Sequence, residues 1–317
     1  MSGSDVAHRR APALSDQDLA GLRERRARGP EAILEAASAR QQRGLLPPDG
    51  RLLLVAADHP ARGAIGVGDD PLAMGSRDEL LRRMVTALAH PGVDGVLGTA
   101  DVLEDLLLLG ALEGKVVIGS MNRGGLAGSA FELDDRFTGY DARSIATSRF
   151  DGGKMLLRID HDDPASVATL EACARAIDAL AAQGSMAMVE PFLSRRVDGK
   201  VVNDLSTQAV VRSVAIASGL GATSRTTWLK IPVVDDMAQV MAATTLPTLL
   251  LGGDPSGDAD EYRARWRDAL ELPGVRGLIV GRALLYPADG DVAAAVDAAA
   301  RLVHLHSTPS TQEARRV

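Results

Sequence analysis

The chain has 317 residues, of which 46% are hydrophobic and 3% aromatic, and its formal net charge is −7. This composition supplies the apolar core of one large α/β domain or two smaller ones, and the acidic balance argues against a nucleic-acid partner or an anionic membrane surface. No apolar run approaches the roughly 20 residues that span a bilayer, the N-terminal stretch has no apolar signal-peptide core, and the single cysteine, Cys173, excludes an internal disulfide. We therefore expect a soluble cytoplasmic protein.

The first 48 residues are rich in arginine and alanine and end in the turn "GLLPPDG". Two helices are predicted here, one in "SDQDLAGLRERRARG", where Ser15 is the candidate cap, and one in "PEAILEAASARQQRG", which has proline in its first turn. We interpret residues 1–48 as a helical extension under the main domain. Its first dozen residues are expected to be disordered, as is a tail at residues 307–317.

From residue 51 onward, short apolar runs alternate with amphipathic helical segments. The eight runs occupy residues 52–57, 95–98, 116–120, 154–159, 186–190, 226–231, 247–253 and 277–282. Strand-helix units that recur about every 30 residues are typical of a (β/α)8 barrel, the TIM barrel, which we assign to residues 49–306. The alternative is a doubly wound open sheet, but the loop "ADHPARGAIGVG" after the first run lacks the Gly-x-Gly-x-x-Gly order of a nucleotide-binding loop.

Charged side chains fall inside several of these runs, on the face that strand pleating directs into the barrel. The alternation of residues places Lys154 and Arg158 inside in the fourth run and Lys230 inside in the sixth. Glu190 lies on the inner face of the fifth run, and Asp58 follows the first run in the same register. Because the active site of this fold lies at the C-terminal ends of the strands, we expect these groups to converge at one mouth.

Lys230, in the buried-looking stretch "TTWLKIP", is the candidate nucleophile. The chain has four lysines among its 35 basic residues, and arginine cannot replace lysine as a nucleophilic amine because it stays protonated. A lysine desolvated beside a second cation, here Lys154, loses basicity and can attack a carbonyl to form a Schiff base. Glu190 and Asp58 are then candidates for moving protons. The alternative is a buried ion network that only fills the barrel.

The last two runs end in "LLLGGDPSGD" and "LIVGRALLYP", which suggest an anion site. Backbone N–H groups of Gly252, Gly253 and Gly281 would approach the anion, and Arg282 would add a charged fork. The loops after the seventh and eighth strands are the usual phosphate site of this fold. The alternative is a set of turn glycines with a rim arginine.

Asp58-His59, Asp160-His161 and Glu190 also form a possible metal constellation, since carboxylate and imidazole groups at neighbouring strand ends can hold a divalent ion. No dense ligand motif such as His-Glu-x-x-His occurs, and an Asp-His pair at a strand end is more often hydrogen-bonded than metallated. We therefore predict no metal and no other cofactor. His59 and Arg158 are predicted to contact the substrate.

These motifs resemble those of the class I, Schiff-base aldolases related to tagatose-bisphosphate and sulfofructose-phosphate aldolases, and more distantly archaeal-type fructose-bisphosphate aldolase. The shared motifs span residues 51–290 and comprise Asp58-His59, "DGGKMLLRIDHDD", Val189-Glu190-Pro191, "WLKIP" and Gly281-Arg282. The resemblance implies that Lys230 forms the imine, that Glu190 and Lys154 assist proton transfer, and that Arg282 with the strand-seven glycines holds a phosphate. The chain departs from the pattern at Pro232, one residue earlier than in the family, and in the strand-seven loop "GGD".

The stretches "AADHPARG" and "VGRALLYP" also resemble a group of actinobacterial barrel proteins found with inositol-catabolism enzymes. That resemblance implies cleavage of 6-phospho-5-dehydro-2-deoxygluconate to dihydroxyacetone phosphate and malonic semialdehyde. The alternatives are an aldolase of the tagatose- or fructose-bisphosphate, sulfofructose-phosphate or deoxyribose-phosphate type, a metal-dependent lyase, and a barrel that binds a sugar phosphate without turnover. In each case we expect a small-molecule sugar phosphate as the ligand, and we expect a closed homo-oligomer.

Overall fold

The computed structural model describes residues 13–252 and 259–304. Its strands are β1 Leu52–Ala57, β2 Gly95–Gly98, β3 Val116–Ser120, β4 Gly152–Ile159, β5 Met186–Val197, β6 Lys200–Asn203, β7 Thr227–Ile231, β8 Thr248–Leu251 and β9 Val275–Val280. All except β6 are the eight apolar runs recognised in the sequence. The ends differ: β4 begins two residues before Lys154, and β5 continues to Val197, where it turns back into an antiparallel hairpin with β6.

Parallel pairing closes the eight strands into a ring. Neighbours along the chain pair from β1 to β5, β5 then pairs with β7, and β9 returns to pair with β1. The predicted (β/α)8 barrel is therefore confirmed, because a doubly wound sheet would leave its two edge strands unpaired.

Helices connect the strands around the outside of the ring. They are α1 Asp16–Arg28, α2 Ala32–Ala39, α3 Arg77–Leu88, α4 Ala100–Leu108, α5 Ala142–Thr147, α6 Ala165–Ala182, α7 Thr207–Ser218, α8 Met237–Ala242, α9 Ala259–Leu270, α10 Arg282–Leu285 and α11 Val292–His304. Within residues 13–252 and 259–304, none of these helices combines the length and the apolar character needed to cross a membrane.

Two separate apolar layers follow from the alternation of side chains along each strand. One set points outward and packs under the helices, and it includes Leu229 and Ile231 of β7. The other fills the barrel and consists of Leu52, Leu54, Ala56, Leu97, Val116, Ile118, Met186, Met188, Trp228, Leu249 and Ile279. The inner layer is a buried apolar floor, so polar groups at the strand ends are shielded from bulk water on that side.

The N-terminal helices contact the barrel from its side and from below. Helix α1 is joined to α4 by the ion pair between Arg26 Nε and Asp105 Oδ1, at 2.5 Å. After α2, Arg40 is 1% exposed and donates a hydrogen bond of 2.8 Å to the carbonyl of Lys115, which precedes β3. Leu45 then packs against the inner layer of the barrel. The predicted disordered segments at residues 1–12 and 307–317 lie outside the described residues, and the boundary at residue 48 stays a prediction.

Candidate active site

A cavity of about 430 Å³ opens at the C-terminal ends of the barrel strands. The predicted site residues that line it are Asp58, His59, Lys154, Arg158, Glu190, Lys230, Gly252, Gly281 and Arg282. Gly253 lies outside the described residues. The structure thus brings the strand-end groups to one mouth, while their chemical roles stay predictions.

Glu190 lies between two ammonium groups. Its Oε1 is 2.9 Å from Nζ of Lys230, and its Oε2 contacts Nζ of Lys154. All three residues are buried, with exposed fractions of 8% for Glu190, 4% for Lys230 and 2% for Lys154. Burial alone would raise the pKa of Glu190, but the two ammonium groups together lower it below its usual value. Glu190 is therefore a carboxylate that bridges both lysines.

Lys154 is a weaker base than an ordinary lysine. Burial lowers its pKa well below the ordinary value, the contact with Glu190 opposes this, and repulsion by Lys230 and Arg123 lowers it further. The network holds three basic groups (Lys154, Lys230, Arg123) and two carboxylates, Asp58 and Glu190, so its charge when fully ionised is 3 − 2 = +1. Because a buried excess charge is costly, loss of one lysine proton brings the network to neutrality.

Arg123 belongs to this network, although it was not among the predicted site residues. It is 8% exposed, its Nη2 donates to Oδ2 of Asp58, and its Nε donates a hydrogen bond of 2.6 Å to Oγ of Ser120. Burial lowers the pKa of Arg123 to about 10, which leaves the guanidinium charged at neutral pH. It follows β3 by three residues in "SMNRGG", so the strand-end rule that found Asp58 and Glu190 applies to it as well.

His59 lies at the wall of the cavity beside β9. Its Nδ1 is 3.8 Å from Oδ1 of Asp58 and makes no hydrogen bond within the described residues. Burial, together with repulsion by Lys230 and Arg282, lowers the pKa of His59 to about 3, so the ring is neutral. A Cβ at Gly281 would come within 2.9 Å of His59 Cε1, which explains why glycine occupies that position.

The two predicted substrate arginines differ in their surroundings. Arg158 donates to the Glu132 carboxylate and, at 2.8 Å, to the Glu132 carbonyl, so the loop between β3 and α5 already compensates its charge. Arg282 has its Nη1 3.4 Å from the carbonyl of Gly66 at the cavity rim. Arg282 follows β9 and lies beside the predicted anion site.

Asp160 and His161 are not among the residues that line the cavity. Oδ1 of Asp160 accepts a hydrogen bond of 3.0 Å from the backbone N–H of Asp162, which gives it a role in the turn after β4. In the part of the chain that the structure describes, no group of three or more histidine, cysteine, aspartate or glutamate side chains is arranged to hold a metal ion.

Comparisons with known proteins bear on the fold and the family. A family model described as Cgl0159-like matches residues 50–300. The crystal structure of Cgl0159 from Corynebacterium glutamicum is 56% identical to this chain, covers 93% of it and 99% of its own length, and superposes with a TM-score of 0.91. No curated protein sequence matches the chain.

Two more distant structures share the barrel. One is a Schiff-base-forming fructose-1,6-bisphosphate aldolase, with 20% identity, a TM-score of 0.60, and coverage of 86% of this chain and 100% of that one. The other is an archaeal fructose-1,6-bisphosphate aldolase whose catalytic lysine is bound to a carbinolamine intermediate, with 19% identity, a TM-score of 0.60, and coverage of 86% and 99%. At these identities the similarity establishes the fold.

Proposed function

The chain belongs to the Cgl0159-like family, and from that premise we propose that it is a class I aldolase, an aldehyde-lyase that cleaves a phosphorylated sugar through a lysine Schiff base. The observation that carries the proposal is the buried bridge of Glu190 between Lys154 and Lys230 at the mouth of the barrel. The two aldolases of the same fold support it, since one is described as Schiff-base-forming and the other holds a carbinolamine on its lysine.

Lys230 is the proposed nucleophile. As a neutral amine, its Nζ forms a bond to the ketone carbon while the carbonyl oxygen takes a proton from the Lys154 ammonium, which gives the carbinolamine. Glu190 contacts both Nζ atoms and can pass the proton released by Lys230 to Lys154. The lowered pKa of Lys154 makes its ammonium a good acid, and it protonates the hydroxyl that leaves as water to form the iminium.

Carbon–carbon cleavage follows from the iminium. A base removes the proton from the hydroxyl on the β carbon, the aldehyde C=O forms, and the electrons of the breaking C–C bond move to the iminium to give an enamine. Protonation of the enamine carbon and addition of water to the imine then release the ketone, here dihydroxyacetone phosphate. Asp58 completes the network by accepting a hydrogen bond of 3.2 Å from Lys154.

The phosphate site of the proposal lies at the ends of β8 and β9. Gly252 and Gly281 line the cavity there with Arg282, and this is the place where barrels of this kind usually bind phosphate. A Cβ at Gly252 would lie 2.5 Å from Val280 Cγ1, so the end of β8 needs a glycine at this position to pack against β9. Gly253 was predicted for the same site and lies outside the described residues.

The substrate that we propose first is 6-phospho-5-dehydro-2-deoxygluconate, which would give dihydroxyacetone phosphate and malonic semialdehyde. The motif resemblance supports it, as does the position of Arg282 in the cavity lining beside Gly252 and Gly281, which suits the phosphate of this compound. We expect this compound to be cleaved much faster than fructose 1,6-bisphosphate or deoxyribose 5-phosphate. If the three compounds were cleaved at equal rates, or if this compound were not cleaved, the substrate assignment would be wrong.

The reaction class is tested by borohydride reduction in the presence of dihydroxyacetone phosphate, followed by peptide mass spectrometry. An adduct on the peptide that carries Lys230 is the expected result. An adduct on Lys154 would still support a Schiff-base aldolase but would make Lys154 the nucleophile. Absence of an adduct, with activity that disappears in EDTA, would favour a metal-dependent lyase, and absence of both would favour a barrel that only binds its ligand.

A further inference from the structure

One oxygen of Asp58 is crowded with donors and the other is not. Oδ2 accepts from Nη2 of Arg123, from Nζ of Lys154 at 3.2 Å and from Oγ of Ser120 at 3.4 Å. Within the described residues, Oδ1 accepts no hydrogen bond. The three donors hold Oδ2 in place, which fits Asp58 for a positioning role.

The free oxygen of Asp58 faces His59. Nδ1 of His59 is 3.8 Å from Oδ1 and is closed off from solvent, while the rest of the side chain keeps an exposed fraction of 29% at the cavity wall. A carboxylate beside Nδ1 favours the tautomer that carries the proton there, which leaves the Nε2 lone pair for the cavity. Such contacts are often long in a free enzyme and shorten when the substrate binds.

We propose that His59 is the base that takes the proton of the substrate's β-hydroxyl during C–C cleavage, and that Asp58 positions it. The inference rests on the proposed function. In the step, the O–H bond breaks and its proton moves to Nε2, the oxygen forms the aldehyde C=O, and the C–C bonding pair moves to the iminium at Lys230. The imidazolium that results faces the Asp58 carboxylate and later returns the proton to the enamine carbon or to water.

The charges around His59 make its basicity depend on the ligand. In the free protein, burial and the cations Lys230, Arg282 and Lys154 lower its pKa to about 3, with Glu190 opposing them. A phosphate bound at Arg282 would offset one of these cations and raise the pKa of the imidazole. The base would then be strengthened when the substrate is in place.

The experiment separates imine formation from C–C cleavage in the full-length chain. Wild type, His59→Gln and His59→Ala are compared by borohydride trapping with dihydroxyacetone phosphate, which needs no hydroxyl deprotonation, and by cleavage of 6-phospho-5-dehydro-2-deoxygluconate and fructose 1,6-bisphosphate. Glutamine accepts a hydrogen bond but cannot take the proton. We expect trapping within about threefold of wild type in both variants and cleavage lowered about 10²- to 10⁴-fold. Free imidazole should restore part of the cleavage in His59→Ala.

His161→Gln is the matched control, because His161 is exposed and does not line the cavity. We expect it to leave trapping and cleavage unchanged. Normal cleavage in His59→Gln, or equal losses of trapping and cleavage, would overturn the role of His59 alone. No adduct and no cleavage in wild type would remove the proposed function, and the role of His59 with it.

Discussion

Replacement of Glu190 by glutamine tests the charge balance of the buried network. The side chain keeps its shape, but the fully ionised network changes from 3 − 2 = +1 to 3 − 1 = +2, with two ammonium groups facing a neutral amide. Removal of one partner from a buried ion pair costs about 3–5 kcal/mol. Because Lys154 already has a lowered pKa and can release its proton, we expect the lower end, a loss of about 3 kcal/mol in the free energy of unfolding at pH 7.

A double-mutant cycle with Lys154→Met tests whether charge is the cause. The double variant removes one cation and one anion, so its network returns to 2 − 1 = +1, the wild-type value. We therefore expect the double variant to be more stable than the sum of the single changes by about 1–3 kcal/mol, measured by urea unfolding. Glu171→Gln is the control, since its pair with Arg175 is exposed and is expected to cost at most about 0.5 kcal/mol.

The pH dependence gives an independent check. The folded-state pKa of Glu190 is lowered relative to the unfolded chain, so its contribution to stability is present above the unfolded value, about 4.3, and is lost as the pH falls toward the folded value. The difference between wild type and Glu190→Gln should therefore be largest near pH 7 and shrink below about pH 4. This account of the network would be refuted if the stability losses of Glu190→Gln and Lys154→Met added up in the double variant. It would also be refuted if the stability difference between wild type and Glu190→Gln grew on acidification.

Three further outcomes are expected. Lys230→Met should abolish borohydride trapping while ligand binding persists, and retained trapping would assign the imine to another lysine. Burial opposes the charging of His304, but hydrogen bonds to Asp94 and Asp49 raise its pKa to about 9. The protonated ring therefore stabilises the fold fully below about pH 6.5, and this contribution to the free energy of unfolding is lost as the pH rises through 9. His304→Gln should therefore destabilise the protein by about 2 kcal/mol at pH 6 and far less at pH 10, measured by urea unfolding, and an equal loss at both would contradict this. Gly281→Ala would place a Cβ 2.7 Å from the Ala56 carbonyl oxygen, so it should lower the free energy of unfolding by about 1–3 kcal/mol and slow cleavage. The control, Gly21→Ala, places its Cβ where no atom lies within 4 Å, so it should not destabilise the protein.

The barrel was predictable because two periodicities agree along the chain. Apolar runs of strand length recur with amphipathic helices between them, and the pleat then decides which side of each strand faces the barrel axis. Lys230 follows this rule together with Trp228, whose ring belongs to the inner layer, while Leu229 packs outward. A one-residue change of register would exchange these faces. The alternation of residues along each strand was therefore enough to predict which charged side chains point into the barrel.

The partners of the site residues were less predictable, because they come from segments without a repeating pattern. The segment between β3 and α5 supplies Arg123 to Asp58 and Glu132 to Arg158. Sequence spacing says nothing about which loop carboxylate reaches a given arginine, so Arg158 was predicted as a substrate contact without its compensating partner. The extension of β5 into a hairpin with β6 was missed for a related reason, since Ser194 to Asn203 is polar and turn-rich, and cross-strand pairing rather than apolar alternation sets it.

The excess positive charge connects the stability of the barrel to the proposed chemistry. The network lies on an apolar floor, where an unbalanced cation costs free energy, and that cost is relieved when one of the two lysines gives up its proton. A Schiff-base enzyme needs the same event, because only a neutral amine attacks a carbonyl. Glu190 contacts both Nζ atoms and so connects the two lysines for proton transfer. A third carboxylate in the network would remove the excess charge and raise stability, but it would also remove the reason for a lysine to be neutral.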